Sequence, residues 1–291
     1  MTARTLTAAA LAAAALALGC GGDDEVEAPA VEPAASVDEG RFDGAAAMRW
    51  VRRQLAYGPR PAGSPPSVKL AKRLRDALPN GRYQAVPGGL RNVLGTVPGR
   101  DPKRLVVVGA HYDTKDIPGF VGAVDGASGT AVVTQLARTI KPRSARPTIV
   151  FALFDGEEAP AGRPDAEFER YGIRGSKVAA RALRRAEAMI LLDFVGEKDL
   201  QLPREANSDP ALWRKLRAGA ATAGVIDRFP NRTAPPVSDD HTPFIRRGIP
   251  SIDLIDFEFE CWHETCDDLS QIGEESLDAT GEAMVRMLAT L

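Results

Sequence analysis

Two uninterrupted apolar runs constrain this chain more than any other feature. They are Leu105-Val106-Val107-Val108, and Thr148-Ile149-Val150-Phe151-Ala152-Leu153 continuing into Phe154. Both are rich in β-branched or aromatic residues and both run into glycine-containing turns, which marks them as strands. A strand with one wet face alternates polar and apolar side chains. One that does not alternate is covered on both faces, as in a parallel sheet under helices. Further strands are expected over residues 92–97, 188–193 and 251–255. Helical spacing falls around them, over residues 45–57, 64–78, 126–140, 175–185, 210–223 and 274–291, with Ser64 as a cap and Pro65 just inside the second helix. Strand and helix in alternation define an α/β domain with a largely parallel sheet. Residues 41–291 are within the size range of a single domain, and no internal repeat is present.

The first forty residues belong to a different regime. Arg4 and the alanine- and leucine-rich residues 6–18 read as a secretory signal, the apolar run being shorter than the roughly 20 residues that span a bilayer. Ala17-Leu18-Gly19-Cys20 has the form of a bacterial lipobox, which would leave Cys20 lipidated; an ordinary signal peptide with an incidental cysteine is the plainer alternative. Residues 21–40 are Asp, Glu, Pro, Ala and Gly with almost no large apolar residue, the composition of a disordered acidic tether. An exported protein follows, lipid-anchored at the outer face of the bacterial membrane and otherwise out of contact with it. At 44% hydrophobic and 26% charged residues with a formal net charge of −2, the chain has no basic surface for nucleic acid.

Polar residues collect where an open α/β sheet binds ligands, at the carboxyl ends of its strands. The run 105–108 leads into His111-Tyr112-Asp113-Thr114, and Val124-Asp125-Gly126 precedes the next helix. The run 148–154 delivers Asp155-Gly156-Glu157-Glu158, and residues 188–193 end in Asp193. Beyond lie Ser238-Asp239-Asp240-His241 and Cys261-Trp262-His263-Glu264-Thr265-Cys266-Asp267-Asp268. Neighbouring side chains on an extended backbone point opposite ways, so one of Glu157 and Glu158 can ligate a metal while the other moves a proton; a solvated Glu-Glu turn is the plainer reading. The chain has three histidines, His111, His241 and His263, and all three sit among carboxylates. Imidazole mixed with hard oxygen suits Zn²⁺ in a catalytic site. Asp125 can instead cap its helix, and Asp155 can instead satisfy backbone donors in its turn.

As an ordered set, His111-x-Asp113, the Asp125 loop, Glu157-Glu158, Asp193 and His263 resemble the co-catalytic zinc aminopeptidase and glutaminyl cyclase family, across nearly the whole domain from Tyr57-Gly58-Pro59-Arg60-Pro61 to Asp267-Asp268. Three segments resemble the cyclase branch: His111-Tyr112-Asp113-Thr114-Lys115 with Phe120 to Asp125, Asp239-Asp240-His241-Thr242-Pro243-Phe244 onward to Pro250, and Trp262 before His263. The resemblance implies a three-layer α/β/α zinc exopeptidase-like domain over residues 41–291. It implies one zinc on Asp125, Glu158 and His263, Glu157 as proton shuttle, Asp193 and Asp239 as a hydrogen-bonded acidic pair beside it, and Trp262 as a wall of the substrate pocket. In an aminopeptidase, His111 and Asp193 would join as ligands to a second zinc, with Asp125 bridging. Two departures bear on substrate fit: no tryptophan follows the Glu-Glu pair in Ala159-Pro160-Ala161-Gly162-Arg163-Pro164, and Asp253 stands where cyclases carry a histidine.

Three functions are therefore in play. The first is a zinc-dependent glutaminyl-peptide cyclotransferase acting on peptide or protein N-termini. The second is a dizinc aminopeptidase, and the third an inactive binding lipoprotein on the same fold, which predicts broken ligand sets. Cys261 and Cys266 flank His263 and, in an oxidising compartment, can bond to hold that loop; two free thiols are the alternative.

Overall fold

The computed structural model describes residues 41–291, so the signal, the lipobox with Cys20 and the acidic tether lie outside the described residues. Asp43 opens helix α1 (Gly44–Leu55), its carboxylate accepting from Ala46 N at 2.8 Å. Helix α2 (Pro65–Ala77) starts as its sequence predicts, on Ser64 with proline inside the first turn. There follow β1 (Arg82–Val86), β2 (Leu90–Val97), β3 (Asp101–His111), α3 (Gly129–Thr139), β4 (Pro147–Phe154), the one-turn α4 (Phe168–Tyr171), α5 (Arg174–Ala182) and β5 (Ala188–Leu192). Two-residue strands β6 (Arg204–Glu205) and β7 (Thr233–Ala234) bracket α6 (Pro210–Ala223); α7 (Thr242–Ile245), β8 (Ser251–Leu254) and α8 (Glu274–Ala289) close the chain.

The main sheet has the order β1-β2-β4-β3-β5-β8. From β4 to β8 every pairing is parallel, while β2 lies antiparallel to β4 and β1 antiparallel to β2. The unbroken apolar runs have the expected cause. Val106 and Val108 of β3 and Ile149, Phe151 and Leu153 of β4 point into one core. Val107, Ala152 and Phe154 point into a second core on the opposite face, under α5 and α7. The larger core is covered by α1, α3, α6 and α8. This is the three-layer α/β/α arrangement. Among the described residues no helix is long and apolar enough to cross a membrane.

Three local differences from the sequence expectation matter for the site. The strand read over 105–108 extends from Asp101 to His111, so His111 ends the strand instead of standing in a loop. The helix expected from residue 126 starts at Gly129, after a kinked turn over Ala123–Ser128 in which Asp125 and Gly126 depart from helical geometry. Strand β1 was hidden because its exposed Arg82, Tyr83 and Ala85 leave it without an apolar run.

Candidate metal centre

Adjacent parallel strands β4, β3 and β5 end side by side, and their ends supply most of the site. His111 is the last residue of β3, Asp193 follows β5, and Glu157 and Glu158 follow β4 after Gly156. Asp113 ties two of these ends together: its Oδ1 and Oδ2 accept from Glu157 N and Glu158 N, each at 3.2 Å. Asp155 accepts from one backbone donor, and that donor is on β2 and not in its own turn: Arg91 N lies 3.0 Å from its Oδ2.

Asp125 does not cap a helix. Its carboxylate is buried and sits between two imidazoles, Oδ1 at 3.2 Å from His111 Nε2 and Oδ2 at 3.5 Å from His263 Nε2. The kinked turn makes this possible, because Gly126 takes φ +90°, and a Cβ there would lie 2.8 Å from Asp113 O and 3.0 Å from His111 Cε1. Only glycine fits both that backbone and that space.

Among the described residues, two groups of donors each lie within 4.8 Å of one another: Asp125, Glu158 and His263, and His111, Asp125 and Asp193. Asp125 belongs to both. His263 Nε2 lies 3.2 Å from Glu158 Oε1, and His111 Nε2 lies 3.3 Å from Asp193 Oδ1. The donor chemistry fits zinc, with three buried carboxylates, the buried imidazole of His111 and the half-buried one of His263. A buried polar atom left over fits it too: Asp125 Oδ2 has no hydrogen-bond partner.

The electrostatics are those of crowded, buried carboxylates. Burial and the charge of Glu158 push Asp125 up to about 6. Burial opposes the charge on His111, but the carboxylates of Asp193, Asp113 and Asp125 outweigh it and hold the imidazolium well above its ordinary range. For His263 burial is likewise outweighed, here by Glu158 and Asp125. Glu158 is the exception among the acids: burial is overcome by His263 and by Lys115, whose Nζ is 3.2 Å from Glu158 Oε2.

Glu157 stands apart from both donor groups. Its carboxyl is raised well above the ordinary range by burial, then by Glu158, with Asp239 and Asp240 adding to the effect. It lines a cavity of about 510 Å³ together with Asp193 and Asp239. Burial, then the charges of Asp193 and Asp240, raise Asp239. Asp239 Oδ2 nevertheless has no hydrogen-bond partner. Asp193 and Asp239 share this wall, and the charge of Asp193 is the largest that acts on Asp239.

His241 is a correction. Two of the three histidines enter the donor groups, whereas His241 is buried between Glu205 Oε2 and Asp253 Oδ2, at 3.6 Å from each. Trp262, 43% exposed, lies at the cavity mouth with its ring stacked on His263 at 4.6 Å and against Phe257 at 5.0 Å. Cys261 and Cys266 are joined by a disulfide with Cα atoms 5.5 Å apart. It braces a loop in which His263 takes the left-handed φ of +56°. Sequence reasoning gave no role to Lys115, Arg60 or Asp267; the fold places the last two against the Asp125 turn.

Residues 92–288 match the model of peptidase family M28. The chain belongs to that family. It is 31% identical over 236 residues to the glutaminyl-peptide cyclotransferase of Bos taurus, covering 67% of this chain and 63% of that protein. It is 29% identical over 210 residues to aminopeptidase YwaD of Bacillus subtilis, covering 66% of this chain and 42% of that one. The chain thus spans less than two thirds of these relatives' own length. The crystal structure of an Acidobacteriales bacterium glutaminyl cyclase superposes with a TM-score of 0.74 at 28% identity, covering 89% of this chain and 98% of the other.

Proposed function

We propose that this chain is a zinc-dependent glutaminyl-peptide cyclotransferase, converting an N-terminal glutamine to pyroglutamate with release of ammonia. Similarity to proteins of that activity supports the reading. The observation that carries it over hydrolysis is Trp262, an aromatic wall stacked on a ligand histidine at the cavity mouth.

Asp125, Glu158 and His263 would hold the zinc. Bound there, it supplies Lewis acidity toward the γ-amide carbonyl of the substrate. The nucleophile is the substrate's own α-amine, so the reaction is intramolecular and gains from proximity once the side chain is folded back. Glu157 takes the amine proton and returns it to the departing nitrogen. That task needs a carboxylate near the ligands but outside them, which is the position Glu157 occupies. Burial and the neighbouring Glu158, Asp239 and Asp240 raise the Glu157 carboxyl, which makes its carboxylate a stronger base toward the amine proton.

A specific observation supports a second reading. His111, Asp125 and Asp193 converge as tightly as the first donor group, as a dizinc aminopeptidase requires. Mass analysis of a Gln-initiated peptide after incubation separates the two. Loss of one ammonia from an otherwise intact peptide supports cyclisation, and liberation of free glutamine contradicts it.

A further inference from the structure

The turn that carries Asp125 is gripped from two sides by residues outside both donor groups. Asp267 Oδ1 accepts from Ala123 N at 3.1 Å and from Val124 N at 2.7 Å, and its Oδ2 accepts from Asp125 N at 3.0 Å. Three successive backbone N–H groups thus converge on one buried carboxylate. On the other side the fully buried guanidinium of Arg60 donates to Val121 O at 2.9 Å and to Gly122 O at 3.2 Å. The turn needs such support because Gly122 and Gly126 both take positive φ and Asp125 lies between them off helical geometry. Asp267 is 142 residues from Asp125 in sequence, yet it immediately follows Cys266. The Cys261–Cys266 disulfide closes the short loop that bears His263.

From this juxtaposition we propose that Asp267 and the Cys261–Cys266 bridge form a clamp that holds Asp125 and His263 in register for the metal, with Arg60 securing the far side of the turn. These are positioning residues, and the inference rests on the reading of Asp125, Glu158 and His263 as ligands. Groups that orient metal ligands through hydrogen bonds typically change metal affinity by about 10- to 100-fold. Asp267→Asn keeps the side-chain volume but turns an NH₂ group toward N–H donors. Removing the disulfide leaves the hydrogen bonds available but frees the loop that aligns them with His263.

Zinc competition with a chromophoric chelator, performed on the full chain, tests the clamp, with metal-free melting followed by circular dichroism in parallel. Asp267→Asn and the double variant Cys261→Ala/Cys266→Ala should each weaken zinc binding by about 10- to 100-fold. Asp268→Asn should leave it unchanged, because Asp268 is exposed and its carboxylate accepts from Ser270 N instead. A merely structural Asp267 would lower metal-free melting and leave zinc affinity intact. Wild-type affinity in both the Asp267 and cysteine variants overturns the proposal. Should Asp267→Asn not fold, the cysteine variant decides alone, since Cys266 is exposed and Cys261 only half-buried. A wild-type chain that takes up no zinc refutes the ligand reading itself, and the clamp with it.

Discussion

At the scale of the residue, the neighbours Glu157 and Glu158 differ in their partners. Glu158 joins the donor group with His263, and Glu157 lies outside both groups while lining the same cavity as Asp239. Glu157→Gln should therefore lower turnover by about 10²- to 10⁴-fold, the usual worth of a positioned acid–base group, while zinc content measured by atomic absorption stays unchanged. Loss of zinc in that variant would place Glu157 among the ligands. Protons compete with metal at the same site. His111 and His263 both have pKa values raised above their unfolded value by neighbouring carboxylates, so their protonated forms persist to higher pH in the metal-free protein. Zinc requires neutral imidazole. Uptake should release protons, and affinity should rise with pH and be lost as pH falls. Isothermal titration in two buffers of different ionisation enthalpy measures that release directly; equal heats in both would show that no proton is displaced.

At the scale of the element, the starts of α2, α6 and α8 were legible in the sequence and that of α3 was not. Asp209 accepts from Ala211 N and Leu212 N, both at 2.8 Å, ahead of Pro210, and α6 ends on Gly224 at φ +76°. Asp209→Ala should cost about 1 kcal/mol of stability, readable as a lower urea midpoint at unchanged slope. The start of α3 misled because Val124-Asp125-Gly126 looks like a cap, whereas the N–H groups there are taken by Asp267 from a distant loop. No local pattern encodes that partner. The β3 and β4 runs were legible because burial on both faces removes alternation. Strand β1 was not, because it lies at the sheet edge with exposed side chains. The residues of the two donor groups were readable because each ends a strand or stands in an acid-rich turn. His241 carried the same local signal and belongs to a different buried cluster, since sequence neighbourhood reports charge and not direction.

At the scale of the molecule, the site exists only when the sheet is complete. Its donors come from the ends of β3, β4 and β5, from the turn before α3 and from the disulfide-closed loop. Both donor groups are intact, which argues against an inactive scaffold and leaves amine or water as the attacking group. The proposed cyclisation takes the α-amine of an N-terminal glutamine as the attacking group, with Glu157 and Trp262 lining the cavity that would receive it. The most direct test gives the purified full chain a Gln-initiated peptide and a leucine anilide side by side, with zinc counted in the same preparation. Ammonia release from the peptide with about one zinc per chain is the predicted result. Rapid anilide cleavage with about two zincs and no ammonia would contradict it.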